Sequence, residues 1–318
     1  MGVQTVIVTG VSSFVGMHLA RRFAREGFRV VGTLSRPRAD YEGIRAARLR
    51  ILDGAITFAE LDIADVAATG RLIERERPSL FLHHAGFADA YASLDYDEAK
   101  GFAVNVVPLA HIYRCLAGTG CAVIVTGSSA EYSTSDDANR EDDPCRPDMP
   151  YGLSKLAGTL RARQLAERFG VLTRVARLYI PFGPLDNPGK LLAQVIGGLR
   201  RGRPVDLSPC TQARDFIGVT DLCDAYVALQ RDMPRTRFDI FNICGGAPVI
   251  LRDFLADIAR FMKADPALLK FGARTVRAGE APVSYGSNEK ARRLLAWNPA
   301  DLSFAIARDL LDPVLKPA

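Results

Sequence analysis

Tyr151 and Lys155 stand four places apart in MPYGLSKLAG, residues 149–158. The run continues as TLRARQLAERFG, and its spacing predicts a helix. Residues four apart share one helix face, which sets a phenol beside an ammonium. That neighbour favours the phenolate and is expected to lower the Tyr151 pKa toward neutrality, making the phenol a general acid or base. A second motif, TGSSAEYS at residues 126–133, ends the apolar run CAVIV. Ser128 and Ser129 then lie at the carboxyl edge of a strand, where ligands bind in open α/β sheets. A serine there can hydrogen-bond a carbonyl or alcohol oxygen of a substrate. Taken singly, either serine serves equally well as a turn or capping residue.

A phenol, a lysine and a serine of this kind suit hydride transfer at a carbonyl if a dinucleotide lies beside them. The first apolar run enters TGVSSFVG, residues 9–16, and continues as FVGMHLARRFAREG with helical spacing. Gly10 permits a tight turn, and Gly16 permits close packing of helix on sheet. Gly10, Ser12, Ser13, Phe14, Val15 and Gly16 are therefore the expected pyrophosphate cradle at a helix N-terminus. Ser13 replaces the middle glycine of G-x-x-G-x-x-G. The second strand ends VVGTLSRPR, with no acid for a ribose 2′-hydroxyl. Ser35 and Arg36 point instead to a 2′-phosphate, so NADP(H) is expected ahead of NAD(H). Asp62 and Ile63 close the third strand where an adenine edge can be read; Asp62 fits a helix N-cap nearly as well. His84, Ala85 and Gly86 of HHAG end the fourth strand, where small residues let a cofactor lie against backbone. His83 and His84 are adjacent on a strand and point to opposite faces, which argues against a metal pair.

The elements that must hold these groups are strands alternating with helices. TVIVTG, FRVVGTL, ITFAELDI, LFLHHAG, CAVIVTGSS and LTRVARLY read as strands, and EAKGFAVNVVPLAHIYRCLAG as one helical stretch before the fifth. Alternation of this kind predicts an α/β fold, a Rossmann doubly wound parallel sheet. Residues 1–177 form the expected dinucleotide-binding domain, with a return to it around 215–243. Residues 178–318 form mainly a smaller, interleaved C-terminal lobe that binds substrate, with a final helical segment near 302–312.

Composition narrows the class. The 318 residues carry a net charge of +5, with 48% hydrophobic and 24% charged side chains. The basic residues are dispersed, so no nucleic-acid arm is expected. Six cysteines show no C-x-x-C pair, and free thiols of a cytoplasmic protein are expected. MGVQTVIVTG carries no charged n-region or cleavage site, so no secretory leader is expected, and no apolar run is long enough to span a bilayer. A Ser-His-Asp hydrolase is disfavoured by the absence of a G-x-S-x-G elbow.

The ordered set TGVSSFVG, LDI, HHAG, GFAVNVV, GSSAEYS, YGLSK, RLYIPFGP, QARDFIGVTD, FNICGG and LLAWNP resembles the extended short-chain dehydrogenase/reductases. The likeness is to the enzymes that modify nucleotide-diphosphate sugars, and it covers nearly the whole chain. It implies that Ser128, Tyr151 and Lys155 are catalytic, and that Tyr151 and Lys155 also contact the dinucleotide. Asn105 would order structure or water beside that cofactor. Arg214 would hold the substrate diphosphate, a task that suits a guanidinium fork. Ser128, Ser129, Ile180 and Arg214 are thus the expected substrate contacts, with Ile180 standing where many members have an asparagine. Ser133 replaces a usual glycine.

Dehydratases of this group carry an acid one or two residues after the catalytic Ser/Thr, where this chain has Ser129 and Ala130. The resemblance therefore implies NADPH-dependent reduction of the 4-keto group of a nucleotide-diphosphate 4-keto-6-deoxy sugar, with Tyr151 as general acid. The alternative is a nucleotide-sugar 4-epimerase with tightly bound NAD. A non-catalytic dinucleotide sensor is a third possibility, which would not need the serine, tyrosine and lysine together. Family habit also implies a homodimer built on the helix near 100–117 and the Tyr151 helix. No metal, nucleic acid or membrane partner is expected.

Overall fold

The computed structural model describes residues 2–276 and 280–311. Its centre is a parallel sheet built from the apolar runs of the sequence. In chain order the first half contains β1 Thr5–Val8, α1 Phe14–Arg25, β2 Arg29–Leu34, α2 Gly43–Ile51, β3 Thr57–Glu60 and α3 Val66–Glu76. There follow β4 Leu80–His83, α4 Glu98–Asn105, α5 Val107–Leu116, β5 Ala122–Ser128, α6 Pro150–Phe169 and β6 Thr173–Leu178. The strand Phe238–Ile243 returns from the second half and pairs with β6. The sheet order is β3-β2-β1-β4-β5-β6 followed by that strand. The order reverses between β1 and β4, the switch point at which open α/β sheets bind their ligands.

Strand periodicity builds a core on each face. Val6 and Val8 face one way with Leu82, Ile124 and Phe241, under α1 and the helix Val219–Asp232. Ile7 faces the other with Phe81, Val123 and Val175, under α3, α5 and α6. Alternate side chains of a strand leave opposite faces, so a strand apolar throughout belongs between two helical layers. A third core, with Phe182, Val195, Phe216, Phe254 and Ile306, fills the second lobe. There Phe216 stacks on Phe254 with ring centroids 4.1 Å apart.

Two elements differ from the sequence expectation. The single helical stretch around residues 98–117 breaks at Val106 into α4 and α5, because Pro108 in the first turn of α5 has no N–H for a continuous ladder. α2 forms where no element was expected. The last helix covers Leu302–Ile306 and runs on as a π-helical turn over Ala307–Leu311; position 312 lies outside the described residues. All six cysteines are unpaired. Among the described residues no helix is long and apolar enough to cross a membrane.

One carboxylate joins the lobe to the sheet. Asp215 is fully buried. It accepts the N–H of Gly245 at 2.6 Å, of Gly246 at 3.0 Å and of Gly286 at 3.2 Å. Desolvation pushes its pKa up to about 6, against the pull of those bonds. The folded state therefore holds this proton more tightly than the unfolded chain does. Stability from this group is full below the unfolded value and falls as pH rises through the folded one. Between pH 4 and 7 the protein is expected to lose about 2 kcal/mol relative to Asp215→Asn, whose side chain does not titrate. Urea unfolding of both proteins across that range measures it; parallel pH profiles would contradict it.

Candidate active site

The turn after β1 is closed by its own backbone and by Ser13. Gly10 has φ +74, and a Cβ there would meet Ala85 Cα at 3.1 Å. A Cβ on Gly16 would fall 2.4 Å from the Gly10 carbonyl. Both positions require glycine, as a turn that brings backbone against a pyrophosphate demands. Ser13 is the N-cap of α1: its hydroxyl donates to the Gly10 carbonyl at 2.8 Å and accepts from the Gly16 N–H at 3.1 Å. This bonding explains the missing middle glycine, because the side chain folds into the cap. Ser12, Phe14 and Val15 complete the turn and the first residues of α1. The free N–H groups at the start of this twelve-residue helix suit an anion. The cradle fits a dinucleotide pyrophosphate.

His84 sits under the turn. Its Nε2 lies 3.1 Å from Ser13 Oγ and its Nδ1 3.0 Å from Thr126 Oγ1, which in turn lies 2.7 Å from the Tyr226 hydroxyl. Ser13 spends its one proton on Gly10, so His84 donates through Nε2 and accepts at Nδ1. Burial pulls the imidazole pKa down to about 3 and keeps it neutral. His83 is buried on the opposite side, and its Nδ1 is without a partner among the described residues. No group of metal ligands occurs among the described residues.

At the end of β2, Ser35 Oγ lies 3.3 Å from the Tyr41 hydroxyl, and the Arg36 guanidinium stacks 4.5 Å over the same ring. Both side chains are exposed. Asp62 is not the cap of α3. It accepts from the Ala64 N–H, while Asp65 caps the helix through the Ala68 N–H. Ile63 is buried. Asn105 is buried behind the site, its Oδ1 accepting from Phe87 N at 2.9 Å and its Nδ2 donating to Ser154 Oγ at 3.0 Å. It braces the loop that follows Gly86.

Ser128 ends β5 and Tyr151 opens α6, so the sheet edge and the helix start bring them together. The Ser128 side chain lies near enough to the Tyr151 phenol to favour its ionised form, while its Oγ accepts the Ala130 N–H at 3.2 Å. Ser129 begins the short turn Ser129–Glu131. The rings of Tyr91 and Tyr96 flank Tyr151 edge-on, each at 5.8 Å. Against the expectation of a lowered phenol pKa, desolvation pushes Tyr151 up to about 12, and the nearby Ser128 hydroxyl only partly opposes it. Lys155 donates to the Thr126 carbonyl at 2.5 Å. Its own pKa is lowered, by desolvation first, against the attraction of Glu131.

The residue that sequence reasoning missed is Glu131. It is fully buried. Oε1 accepts the Ser128 N–H at 2.9 Å. Oε2 accepts from Thr159 Oγ1 of α6 at 2.8 Å and from Arg177 Nε of β6 at 2.9 Å. Arg177 then reaches the Tyr132 hydroxyl at 2.8 Å, which donates to Asn242 Oδ1 at 2.8 Å. The Ser-x-x-Glu spacing from Ser128 to Glu131 is a capping box, and that pattern was the available signal.

On the substrate side, Ile180 lies two residues beyond Leu178, the register partner of Ser128, and is 39% exposed. Arg214 is held by Glu280 at 3.0 Å and by its own neighbour's carbonyl, Ala213 O, at 2.8 Å. Gln212 also donates to Glu280 at 3.0 Å. A diphosphate taken by Arg214 would therefore compete with a carboxylate.

Glu131→Ala leaves the Arg177 charge buried without its partner. It is expected to cost about 3–5 kcal/mol in chemical denaturation. A loss below about 1 kcal/mol would contradict the role given to this pair.

Residues 6–244 match the model of the NAD dependent epimerase/dehydratase family. The chain is 24% identical over 319 residues to a probable UDP-glucuronate 4-epimerase of Rhizobium meliloti, covering 92% of each. Its fold is similar to that of UDP-glucose 4-epimerase from Thermotoga maritima solved with UDP-glucose, at a TM-score of 0.84 and 19% identity over 97% of this chain and 98% of that one. It is also similar to UDP-glucuronic acid 4-epimerase from Bacillus cereus in complex with UDP-glucuronic acid and NAD, at a TM-score of 0.81 and 19% identity over 96% and 98%. With the turn, the Ser128–Tyr151–Lys155 set and the doubly wound sheet in place, the chain belongs to the NAD dependent epimerase/dehydratase family of extended short-chain dehydrogenase/reductases.

Proposed function

We propose that this protein is a nucleotide-diphosphate sugar 4-epimerase that keeps one dinucleotide through its cycle. The observation that carries the reading is the convergence of Ser128 at the end of β5 with Tyr151 and Lys155 of α6, in a chain whose near-full-length relatives include 4-epimerases. When bound, an oxidised nicotinamide supplies the acceptor and later the donor of the C4 hydride, and a positive charge that favours the phenolate. Tyr151 takes the proton of the C4 hydroxyl as the C4–H bond breaks and a ketone forms. Ser128 steadies that oxygen. After the ketone turns over in the site, Tyr151 returns the proton to the oxygen on the inverted carbon. Lys155 holds a positive charge one helical turn away, anchored on the Thr126 carbonyl.

Relatives that are 4-epimerases weigh toward the epimerase over the 4-keto reductase, and the Bacillus cereus enzyme's NAD weighs toward NAD. One observation favours the reductase as a second reading: β2 ends in Ser35 and Arg36 with no carboxylate. Exposed Val107, Leu153 and Leu160 on α5 and α6 support a homodimer through those helices.

Incubation with UDP-glucuronate or UDP-glucose and no added reductant is expected to yield the 4-epimer. Tyr151→Phe is expected to cut that turnover by about 10²–10⁴-fold while the bound dinucleotide stays. Normal turnover in Tyr151→Phe would sink the assignment. Conversion of a 4-keto sugar only with NADPH would favour the second reading.

A further inference from the structure

Arg48 belongs to no motif, yet it is 4% exposed on α2 and reaches two distant carbonyls. Its Nε donates to Leu185 O at 2.9 Å and its Nη1 to Ser12 O at 3.1 Å. Ser12 lies in the phosphate turn. Leu185 lies in the bend 183–190, which runs into the lobe helix Leu191–Arg200. Nη2 is buried with no partner among the described residues. A buried guanidinium with an unmade bond is costly, so its position calls for a gain elsewhere.

The bend is fastened at further points. His18 of α1 meets the Pro184 carbonyl at 3.0 Å through Nε2. Lys190 pairs with Asp186 at 3.0 Å and lies 5.7 Å over the Phe14 ring at the start of α1. Leu185 takes φ +65, a left-handed conformation that an L side chain adopts only where surrounding contacts enforce it. The bend from the lobe is thus fixed across the N-terminal end of α1, where the turn would hold a pyrophosphate.

We infer that Arg48 is a positioning residue that clamps the lobe bend 183–190 to the dinucleotide turn, so that a bound dinucleotide leaves only when the clamp opens. The inference rests on the dinucleotide reading of the turn. It supplies what an epimerase needs, a cofactor that outlasts each turnover. A methionine at 48 keeps the stem and loses both bonds; a lysine can make one of them.

The test is the dissociation rate of NADH, followed by its fluorescence after chase with excess NAD⁺, in wild type, Arg48→Lys and Arg48→Met. Each lost hydrogen bond is expected to speed release about tenfold, with Arg48→Lys between wild type and Arg48→Met. If Arg48→Met does not fold, Arg48→Lys carries the test. Unchanged release in the variants would overturn the clamp and leave the dinucleotide reading intact. Equal acceleration in Arg174→Lys, a buried guanidinium whose bonds go to residues 173, 232, 233 and 236 and not to the bend, would reduce the effect to general loosening and overturn the clamp as well. A wild type that binds no dinucleotide would overturn both.

Discussion

A carboxylate out of reach of water fixes the geometry of this site. Glu131 bonds β5 through the Ser128 N–H, α6 through Thr159 and β6 through Arg177. Those are the two elements that carry Ser128 and Tyr151 and the strand beside them. A buried ion pair is poor evidence of net stability, because desolvation offsets much of the attraction. Its use here is directional. With Oε1 committed to Ser128 and Oε2 to Arg177 and Thr159, the end of β5 has one position relative to α6, and the serine meets the phenol. The network goes on through Tyr132 and Asn242 to the outer strand Phe238–Ile243, so the second half of the chain braces the same edge.

Charge at the reacting end is distributed by burial more than by pairing. The fourfold spacing of Tyr151 and Lys155 puts both on one helix, but proximity does not set the phenol's acidity. Displaced water raises its pKa, and the Thr126 carbonyl anchors the ammonium. A phenol that keeps its proton near neutrality is ready to donate to an oxygen. Taking a proton requires added positive charge, which ties the base form of Tyr151 to an oxidised cofactor. On this account the protein supplies the acid and the serine, and the cofactor's redox state switches the direction of proton flow.

The parts of the molecule that were legible in the sequence are those set by short-range periodicity. The parallel sheet follows from β-branched runs of four to seven residues, and the helix of Tyr151 and Lys155 follows from its spacing and the closing Gly170. Gly10 and Gly16 announced the turn through steric need. What stayed hidden depends on distant partners. Glu131 meets residues 28 and 46 positions away, and Arg48 meets one 137 positions away. The capping-box spacing is the one local sign of Glu131, and nothing near Arg48 marks it. The Tyr151 pKa was misjudged because spacing reports neighbours and is silent on desolvation. The break between α4 and α5 was readable in Pro108, whose missing N–H falls in a first turn where it costs nothing.

The most direct test of the reversible chemistry assigned to Ser128, Tyr151 and Lys155 is isotopic. A nucleotide-diphosphate sugar deuterated at C4 is incubated with the protein and no added cofactor, and the product is read by mass and NMR. The account predicts deuterium retained at the inverted C4, because the same hydride leaves and returns within one site. Loss of deuterium from C4, or no product until an external reductant is supplied, would contradict it.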